Sequence, residues 1–229
     1  MRLYLSSFRL GTAPEHLVRL VGLGARVAVV ANAIDDEPAD VRAAKVDDEV
    51  RALERLGLRA EEVDLRDLAG LGRGEVLTRL SAYDGLWVRG GNVFVLRVAM
   101  ARSGADDAVV ALLADDRLVY AGYSAGPCVL APSLEGLESV DDVEGPRTAY
   151  GSPAILDGLG VLDHAVVPHC GNPTHPESAA CDALADAYAA AGIAHLRLRD
   201  GEALVVDGES RTVVGRPAEV ADLLYPAAN

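Results

Sequence analysis

A serine lies between two glycines where an apolar run of the sequence ends. Residues 118–126 read LVYAGYSAG, so Ser124 follows a strand-like segment at the centre of a Gly-x-Ser-x-Gly pattern. In many hydrolases with this pattern, a sharp strand-to-helix turn exposes the serine hydroxyl as a nucleophile. Small residues also suit ordinary tight turns. The pattern therefore leaves two interpretations of Ser124, a plain turn residue or a nucleophile.

A nucleophilic serine needs a base that removes its proton. His169 ends the apolar run AVVPH, so we expect it at the carboxyl end of a strand. Ser124 is expected at the same edge, where open α/β sheets place their chemistry. The remaining histidines are predicted to lie on the surface, at the opposite strand end or at a helix entry, and they are His16, His164, His175 and His195.

The base in turn needs an acid that orients it. The candidates on the segment between the nucleophile and the base are the acidic residues Glu135, Glu138, Asp141, Asp142 and Glu144. A loop determines their geometry, so their spacing does not choose among them.

Backbone N–H groups are the expected donors to the oxyanion. The residue after the nucleophile, Ala125, supplies one of them in nucleophile-elbow enzymes. The turn Gly90-Gly91 in LWVRGGNVF follows a predicted strand and offers another. Glycine there permits unusual dihedrals and close backbone approach. Both glycine turns fall at corresponding strand ends, which favours a catalytic role over two plain β-to-α turns.

Composition restricts the class of protein. A chain of 229 residues is compatible with one domain, residues 1–229. The net charge of −14 argues against nucleic acid or an anionic membrane as partner, and no apolar stretch approaches the roughly 20 residues that span a bilayer. Three cysteines without a Cys-x-x-Cys pair argue against a disulfide framework and a zinc site, and they fit a cytoplasmic location.

Short apolar runs alternate with amphipathic stretches of helix length. This alternation predicts an α/β fold, with a mainly parallel sheet and helices on both faces. The predicted strands are 3–6, 26–30, 59–63, 86–88, 118–121 and 165–168, and the predicted helices are 14–21, 39–56, 74–82, 93–102, 105–114 and 177–191. After residue 191, the runs HLRLR, ALVVDG and TVVGR are separated by Asp-Gly and Gly-Glu-Ser turns, which predicts an antiparallel β edge near the C-terminus.

Three stretches in order, WVRGGNVF, AGYSAGPCVLAPSL and VVPHCGNPTHPES, resemble the dipeptidase E (aspartyl dipeptidase) family of serine peptidases. That family lies within the class I glutamine amidotransferase-like, flavodoxin-like fold. The resemblance extends from LYLSSFRLG to LRLRDGEALVVDG. It therefore implies this fold for nearly the whole chain.

The resemblance also implies roles for the residues that match the family's motifs. Ser124 corresponds to the nucleophile and His169 to the general base, while Gly91 and Ala125 correspond to the oxyanion amides.

Three further residues are implied with less agreement to the family pattern. Gly90 and Asn92, in the same turn as Gly91, are expected to contact substrate. The orienting acid is expected on the loop after the nucleophile, at Asp142. Asp141 is the next choice, and the glutamates of that loop stay open.

The implied activity is hydrolysis of small peptides through an acyl-enzyme, with no metal or organic cofactor, by a cytoplasmic homodimer. Two departures bear on specificity. Val93 replaces the threonine usual after the Gly-Gly-Asn turn, and the helix ESAACDALADAYAAA has no Lys or Arg where aspartate-selective members have a basic side chain. Strict selectivity for N-terminal Asp is therefore not expected, and Arg89 is one candidate substitute.

Three alternatives remain at this point. A glutamine amidotransferase normally has cysteine at the nucleophile position, whereas residue 124 is serine. A non-catalytic binding module needs no triad. An esterase or cyanophycinase-type hydrolase would use the same triad on other substrates.

Overall fold

Strands and helices alternate along residues 1–225, the part of the chain that the computed structural model describes. The strands are β1 (Arg2–Ser6), β2 (Arg26–Val30), β3 (Arg59–Glu62), β4 (Gly85–Val88), β5 (Val119–Tyr123), β6 (Ala165–Val167), β7 (His195–Arg197), β8 (Glu202–Asp207) and β9 (Ser210–Gly215). The helices are α1 (Glu15–Val21), α2 (Ala39–Arg55), α3 (Arg73–Leu80), α4 (Val93–Ser103), α5 (Ala105–Ala114), α6 (Ala125–Cys128), α7 (Gly145–Tyr150), α8 (Ser178–Ala191) and α9 (Val220–Leu223). Within residues 1–225, no helix combines the length and apolar character needed to cross a membrane.

Seven strands form one sheet in the order β3-β2-β4-β5-β1-β8-β9. The first five are parallel to their neighbours. β8 runs antiparallel to β1, and β9 runs antiparallel to β8. The predicted α/β class, with a mainly parallel sheet and an antiparallel edge near the C-terminus, is confirmed.

The prediction for two short strands was wrong in its pairing. β6 and β7 leave the main sheet and pair with each other in parallel, with Ala165 opposite His195. The run HLRLR therefore does not belong to the antiparallel edge. Strands of three residues have too few side chains to specify a partner, so their pairing depends on tertiary contacts that a local pattern does not contain.

Side-chain alternation divides the core between the two faces of the sheet. In β1, Leu3 and Leu5 contribute to one buried cluster, and Tyr4 contributes to the other. Helices α3, α4, α5, α6 and α8 cover the first face, whereas α1 and α2 cover the second. Strands buried on both faces need apolar residues at consecutive positions, which explains the unbroken runs in the sequence.

Three neighbouring parallel strands end at the same edge of the sheet. Ser6, the last residue of β1, is opposite Tyr123 at the end of β5, and Val88 at the end of β4 is opposite Gly122. The residues that follow these strands therefore meet at one edge, where α/β sheets bind ligands.

Candidate active site

Ser124 occupies the corner between β5 and α6. Its dihedrals are φ 53° and ψ −110°, and a positive φ is unfavourable for a residue with a side chain. Hydrogen bonds hold the backbone on both sides of the corner: the Ser124 N–H donates to the Ser7 carbonyl at 3.2 Å, and the Ser124 carbonyl accepts from the Cys128 N–H at 3.2 Å. This is the strand-to-helix turn that the Gly-x-Ser-x-Gly pattern predicts.

The glycines around Ser124 allow β4 and the corner to approach closely. A Cβ atom at Gly122 or Gly126 would lie only 2.3 or 2.7 Å from the Val88 carbonyl oxygen. A Cβ atom at Gly90 would lie 2.8 Å from the Ser124 Cβ. Side chains at these positions would therefore push the corner away from β4.

The two predicted oxyanion donors have N–H groups with no acceptor among residues 1–225. Gly91 has φ 145° and lies against Ala33, in the turn after β2, whose carbonyl oxygen would be 2.5 Å from a Cβ atom at position 91. Ala125 begins α6 directly after Ser124. Free N–H groups beside a nucleophile are what an oxyanion site requires.

Asn92 has a structural role in the turn, and its contact with substrate stays a prediction. Its Oδ1 accepts hydrogen bonds from the Phe94 and Val95 N–H groups, at 2.9 and 3.1 Å, and so caps the N-terminus of α4. Its Nδ2 donates to the Asp142 carbonyl at 2.7 Å. These bonds fix the turn that contains Gly91.

His169 is buried beyond the end of β6 and has a left-handed backbone, with φ 59°. Its N–H donates to the Ser7 Oγ at 2.8 Å. Its ring Nδ1 lies 2.7 Å from Oδ1 of Asp200, a second fully buried side chain. The structure thus pairs the predicted base with a carboxylate that sequence reasoning did not single out.

Asp200 has hydrogen-bond donors at both carboxylate oxygens. Besides His169, the Ser7 Oγ donates to Oδ1 at 2.8 Å and the Asn172 Nδ2 donates to Oδ2 at 2.7 Å. Burial alone would raise the pKa of Asp200, but these bonds and the nearby His169 lower it. Asp200 is therefore ionised near neutral pH and can hold a proton on the His169 Nδ1.

Ser7 connects all of these groups. It accepts from the Ser124 N–H through its carbonyl, accepts from the His169 N–H through its hydroxyl, and donates that hydroxyl to Asp200. The end of β1 therefore determines how the corner, the histidine and the carboxylate are placed relative to one another.

The predicted orienting acid, Asp142, lies elsewhere. Its side chain is exposed and its Oδ1 accepts from the Glu144 N–H at 3.0 Å. Glu138 accepts from the Gly136 N–H, and Glu144 binds Arg147 at 2.8 Å. Within residues 1–225 none of these loop acids hydrogen-bonds His169, because their loop packs beside α4 and not against the Nδ1 edge of the ring.

Asp141 is nearer to the site but has another partner. Its Oδ2 accepts from the Val93 N–H at 2.8 Å, in the first turn of α4. Burial raises the pKa of Asp141 to about 7. The hydrogen bond from Val93 lowers this pKa, whereas the charge of Glu177 raises it. Ionised Asp141 is therefore costly to the folded state.

We expect Asp141→Asn to be more stable than the unaltered protein at pH 8, by roughly 1–3 kcal/mol. A raised pKa means that the folded state keeps a proton which the unfolded state loses between about pH 4 and pH 7. Stability of the unaltered protein therefore falls across that window, and asparagine does not ionise. Urea unfolding at pH 5 and pH 8 measures the difference, which should shrink at pH 5. Exposed Asp142→Asn is the control, and equal stability of Asp141→Asn at pH 8 would contradict the expectation.

The face of the His169 ring is covered by a second histidine. His175 stacks on it with ring centroids 3.7 Å apart and planes 3° from parallel, and Phe8 contacts both rings edge-on. Burial, followed by repulsion from His169, lowers the pKa of His175 to about 4. His175 is therefore a neutral partner that limits rotation of the His169 ring.

One further acid approaches the other ring nitrogen. The Glu177 Oε2 lies 3.8 Å from the His169 Nε2. Ligand atoms of His169, His175 and Glu177 all lie within 4.8 Å of one another, close enough for a metal ion. However, the lone pairs of two parallel stacked imidazoles do not converge on one point, which does not fit tetrahedral zinc.

Ser124 and His169 open onto one cleft. Its other lining residues come from the ends of β1, β4 and β5 and from the segment before α8, and they are Phe8, Arg9, Arg89, Gly90, Gly91, Tyr123, His175 and Glu177. Within residues 1–225, no hydrogen bond joins the Ser124 Oγ to the His169 ring. Catalytic hydrogen bonds are often long until substrate binds.

Residues 13–214 match the model of Peptidase family S51. The chain belongs to peptidase family S51. This confirms the resemblance to the dipeptidase E family that the three sequence stretches indicate.

Two relatives of this S51 chain agree with the assignment. An uncharacterized peptidase of Listeria monocytogenes is 33% identical over 129 residues, which cover 56% of this chain and 58% of that protein. Peptidase E of Streptomyces coelicolor is 31% identical over 196 residues, which cover 84% of this chain and 72% of that protein. The chain thus spans little more than half the length of the Listeria relative.

A solved structure supports the fold of this S51 chain. A crystal structure from Listeria monocytogenes superimposes with a TM-score of 0.71 and covers 94% of this chain and 98% of that one. The two sequences are 24% identical, so the comparison bears on the fold alone.

Sequence reasoning missed two site residues of this S51 chain, Ser7 and Asp200. Ser7 follows a predicted strand at the same sheet edge as Ser124, and that position was a usable signal. Asp200 precedes Gly201, and Asp-Gly is a strong turn signal. Because these two residues were interpreted as a turn, Asp200 was not considered as the orienting acid.

Proposed function

We propose that this chain is a serine peptidase that hydrolyses small peptides through Ser124, His169 and Asp200. The observation that carries the proposal is the pairing of His169 with buried Asp200, because His169 lines the same cleft as Ser124. Membership of family S51 supports peptide hydrolysis. We also propose that residues 1–229 act as a single domain, because β1 lies between β5 and β8 in one sheet.

The acylation step follows from the hydrogen bonds. Asp200 holds the proton on the His169 Nδ1, which leaves Nε2 as the free base. Nε2 takes the proton of the Ser124 hydroxyl as Oγ attacks the scissile carbonyl carbon. The N–H groups of Gly91 and Ala125 stabilise the resulting oxyanion, and losing one such donor typically costs about 3–4 kcal/mol of transition-state stabilisation.

Collapse of this intermediate releases the first product. The protonated His169 gives its proton to the leaving amine as the C–N bond breaks, and the acyl group stays on the Ser124 Oγ. His169 then takes a proton from water, which attacks the acyl carbon. The second oxyanion collapses, the ester bond to Oγ breaks, and the serine regains its proton.

Covalent labelling tests the nucleophile directly. We expect a fluorophosphonate probe to add one label to the unaltered protein, with peptide mass spectrometry locating it on Ser124. An exposed serine, Ser210, provides the matched control, because Ser210→Ala should label like the unaltered protein. Folded protein that takes no label would instead favour a non-catalytic binding module.

A substrate panel then distinguishes the kinds of hydrolase. Dipeptides, simple esters and cyanophycin-type polymers share the acyl-enzyme chemistry but differ in the leaving group. We expect turnover of dipeptides. Turnover confined to esters or to the polymer would replace the peptidase proposal with the corresponding alternative.

A further inference from the structure

Two arginines line the cleft beside Ser124. Arg9 follows β1, and Arg89 lies directly after β4 and before the Gly90-Gly91 turn. Both side chains are largely enclosed, and Arg89 is only 7% exposed. Enclosed guanidinium groups normally need acceptors that compensate for lost hydration.

The carboxylate between these arginines has its oxygens fully occupied. Glu49 is completely buried, and its Oε1 accepts from the Arg9 Nη1 at 2.9 Å and from the Tyr123 hydroxyl at 2.7 Å. Its Oε2 accepts from the Trp87 Nε1 at 2.9 Å and from the Tyr225 hydroxyl at 2.8 Å. Glu49 therefore neutralises one guanidinium and has little capacity for a second.

The arginines retain unused donors. The Nε atoms of Arg9 and Arg89 are buried without an acceptor, and the Arg89 Nε is 3.4 Å from the Glu49 Oε1 without a hydrogen bond. Arg89 donates one bond, from Nη1 to the Gly90 carbonyl at 2.6 Å. Among residues 1–225, the Nη2 atom of neither arginine has an acceptor. Two guanidinium groups against one carboxylate leave one positive charge beside the nucleophile.

Aromatic rings hold this charge in place. The Arg9 guanidinium lies over the rings of Tyr225, Phe8 and Tyr123, at 4.5, 5.6 and 5.8 Å from their centroids. Burial opposes its charge, but nearby Tyr123 and Glu49 raise the pKa of Arg9 above its ordinary value. The group is therefore ordered before any ligand binds, which lowers the entropic cost of binding an anion.

The remaining acid of the cleft does not neutralise the arginines. Glu177 lies on the His169 side, with Oε2 3.8 Å from the ring Nε2. Within residues 1–225, no ion pair joins it to Arg9 or Arg89. The cleft thus has a cationic wall at the ends of β1 and β4 and an anionic group near α8.

We propose that Arg9 and Arg89 form a subsite that binds a carboxylate of the peptide substrate; this inference rests on the proposed function. Planar guanidinium groups bind carboxylates through paired, charge-assisted hydrogen bonds. In a short peptide the carboxylate comes from the free C-terminus or from an acidic side chain. The subsite lies on elements other than α8, which carries no basic residue.

Three matched peptides distinguish the two sources. Asp-Leu contains both carboxylates, Asn-Leu lacks the one in the side chain, and Asp-Leu-amide lacks the one at the C-terminus. We expect kcat/KM for Asp-Leu to exceed, by about tenfold or more, that of the counterpart that lacks the recognised carboxylate. In Arg89→Gln that preference should fall to within about twofold. Arg73→Gln, which replaces a highly exposed arginine, should keep it.

The ratio between peptides is the decisive readout. Arg89 also bonds the Gly90 carbonyl, so Arg89→Gln could slow all three peptides equally through the turn. Equal slowing with an unchanged preference would overturn the subsite, as would an unaltered protein with no preference. Arg9→Gln provides a second variant, with circular dichroism to confirm folding, because it also removes a partner of buried Glu49.

Binding separates this inference from the peptidase proposal. Calorimetric titration of Ser124→Ala with the three peptides measures carboxylate preference without hydrolysis. If the unaltered protein cleaves none of them, but Ser124→Ala binds Asp-Leu about tenfold more tightly than one counterpart and Arg89→Gln abolishes the difference, the subsite stands and the peptidase proposal falls. Equal dissociation constants for all three peptides would overturn the subsite.

Discussion

Ser124→Ala should lower kcat/KM for dipeptides by about 10⁴-fold or more. The substitution removes the only atom that forms the acyl-enzyme in the proposed mechanism. The oxyanion amides and the cleft stay in place, so a small residual rate over the uncatalysed reaction is expected. Initial rates with the best substrate of the panel measure the effect.

The fold should survive this substitution. Alanine removes one hydroxyl group from a residue whose positive φ is held by hydrogen bonds of its backbone. Far-ultraviolet circular dichroism and urea unfolding check this, and Ser210→Ala supplies the matched comparison at an exposed position. Retention of more than one tenth of the activity by folded Ser124→Ala would eliminate Ser124 as nucleophile.

Asp200→Asn should lower kcat by about 10³–10⁴-fold. An asparagine amide opposite Nδ1 either donates to the ring or loses the bond, so it no longer keeps the proton on Nδ1 and the free base on Nε2. It also presents donors to Ser7 and Asn172, which both donate to Asp200 in the native site. Steady-state kcat with the best dipeptide of the panel measures the loss.

Asp142→Asn is the matched comparison for this experiment. The Asp142 side chain is exposed and bonds its own loop, so we expect less than a threefold change in kcat. If Asp142→Asn were the severely impaired variant and Asp200→Asn were not, the loop would supply the orienting acid in the working enzyme. Circular dichroism of both variants excludes a loss of folding as the cause.

The position of Ser124 and of the glycine turns could be predicted because the relevant physics is local. Gly122 and Gly126 flank the serine at a strand end, and each is needed because a side chain would collide with the Val88 carbonyl. The Gly-x-Ser-x-Gly pattern therefore contains every residue type that the close approach of the corner to β4 requires. His169 was found in the same way, from its position after an apolar run.

The partner of His169 could not be predicted in this way. Asp200 lies 31 residues beyond the histidine and reaches it because β7 pairs with β6. This tertiary pairing could not be predicted from the sequences of two three-residue strands. The predicted acid lay on the loop where the family resemblance placed it. The pair Asp200-Gly201 fits both an ordinary turn and a place in the site, and the sequence alone does not decide between the two. The fold decides, because it places Asp200 against His169.

The charge of Arg89 was open to two interpretations in the sequence, a surface residue or a substrate-binding residue. Its burial follows from its place at the end of β4, opposite α2, which brings Glu49 beneath it. Arg9 gave no signal, because its role depends on rings from Phe8, Tyr123 and Tyr225, which are far apart along the chain.

The link that Ser7 makes with Asp200 bears on the order in which the proposed site assembles during synthesis. The two ends of this hydrogen bond are 193 residues apart along the chain, and the adjacent β8 must emerge from the ribosome before it can pair with β1. A nascent chain therefore exposes the serine long before its histidine can be oriented. The proposed triad is complete only once Asp200 has been translated and has reached Ser7 and His169.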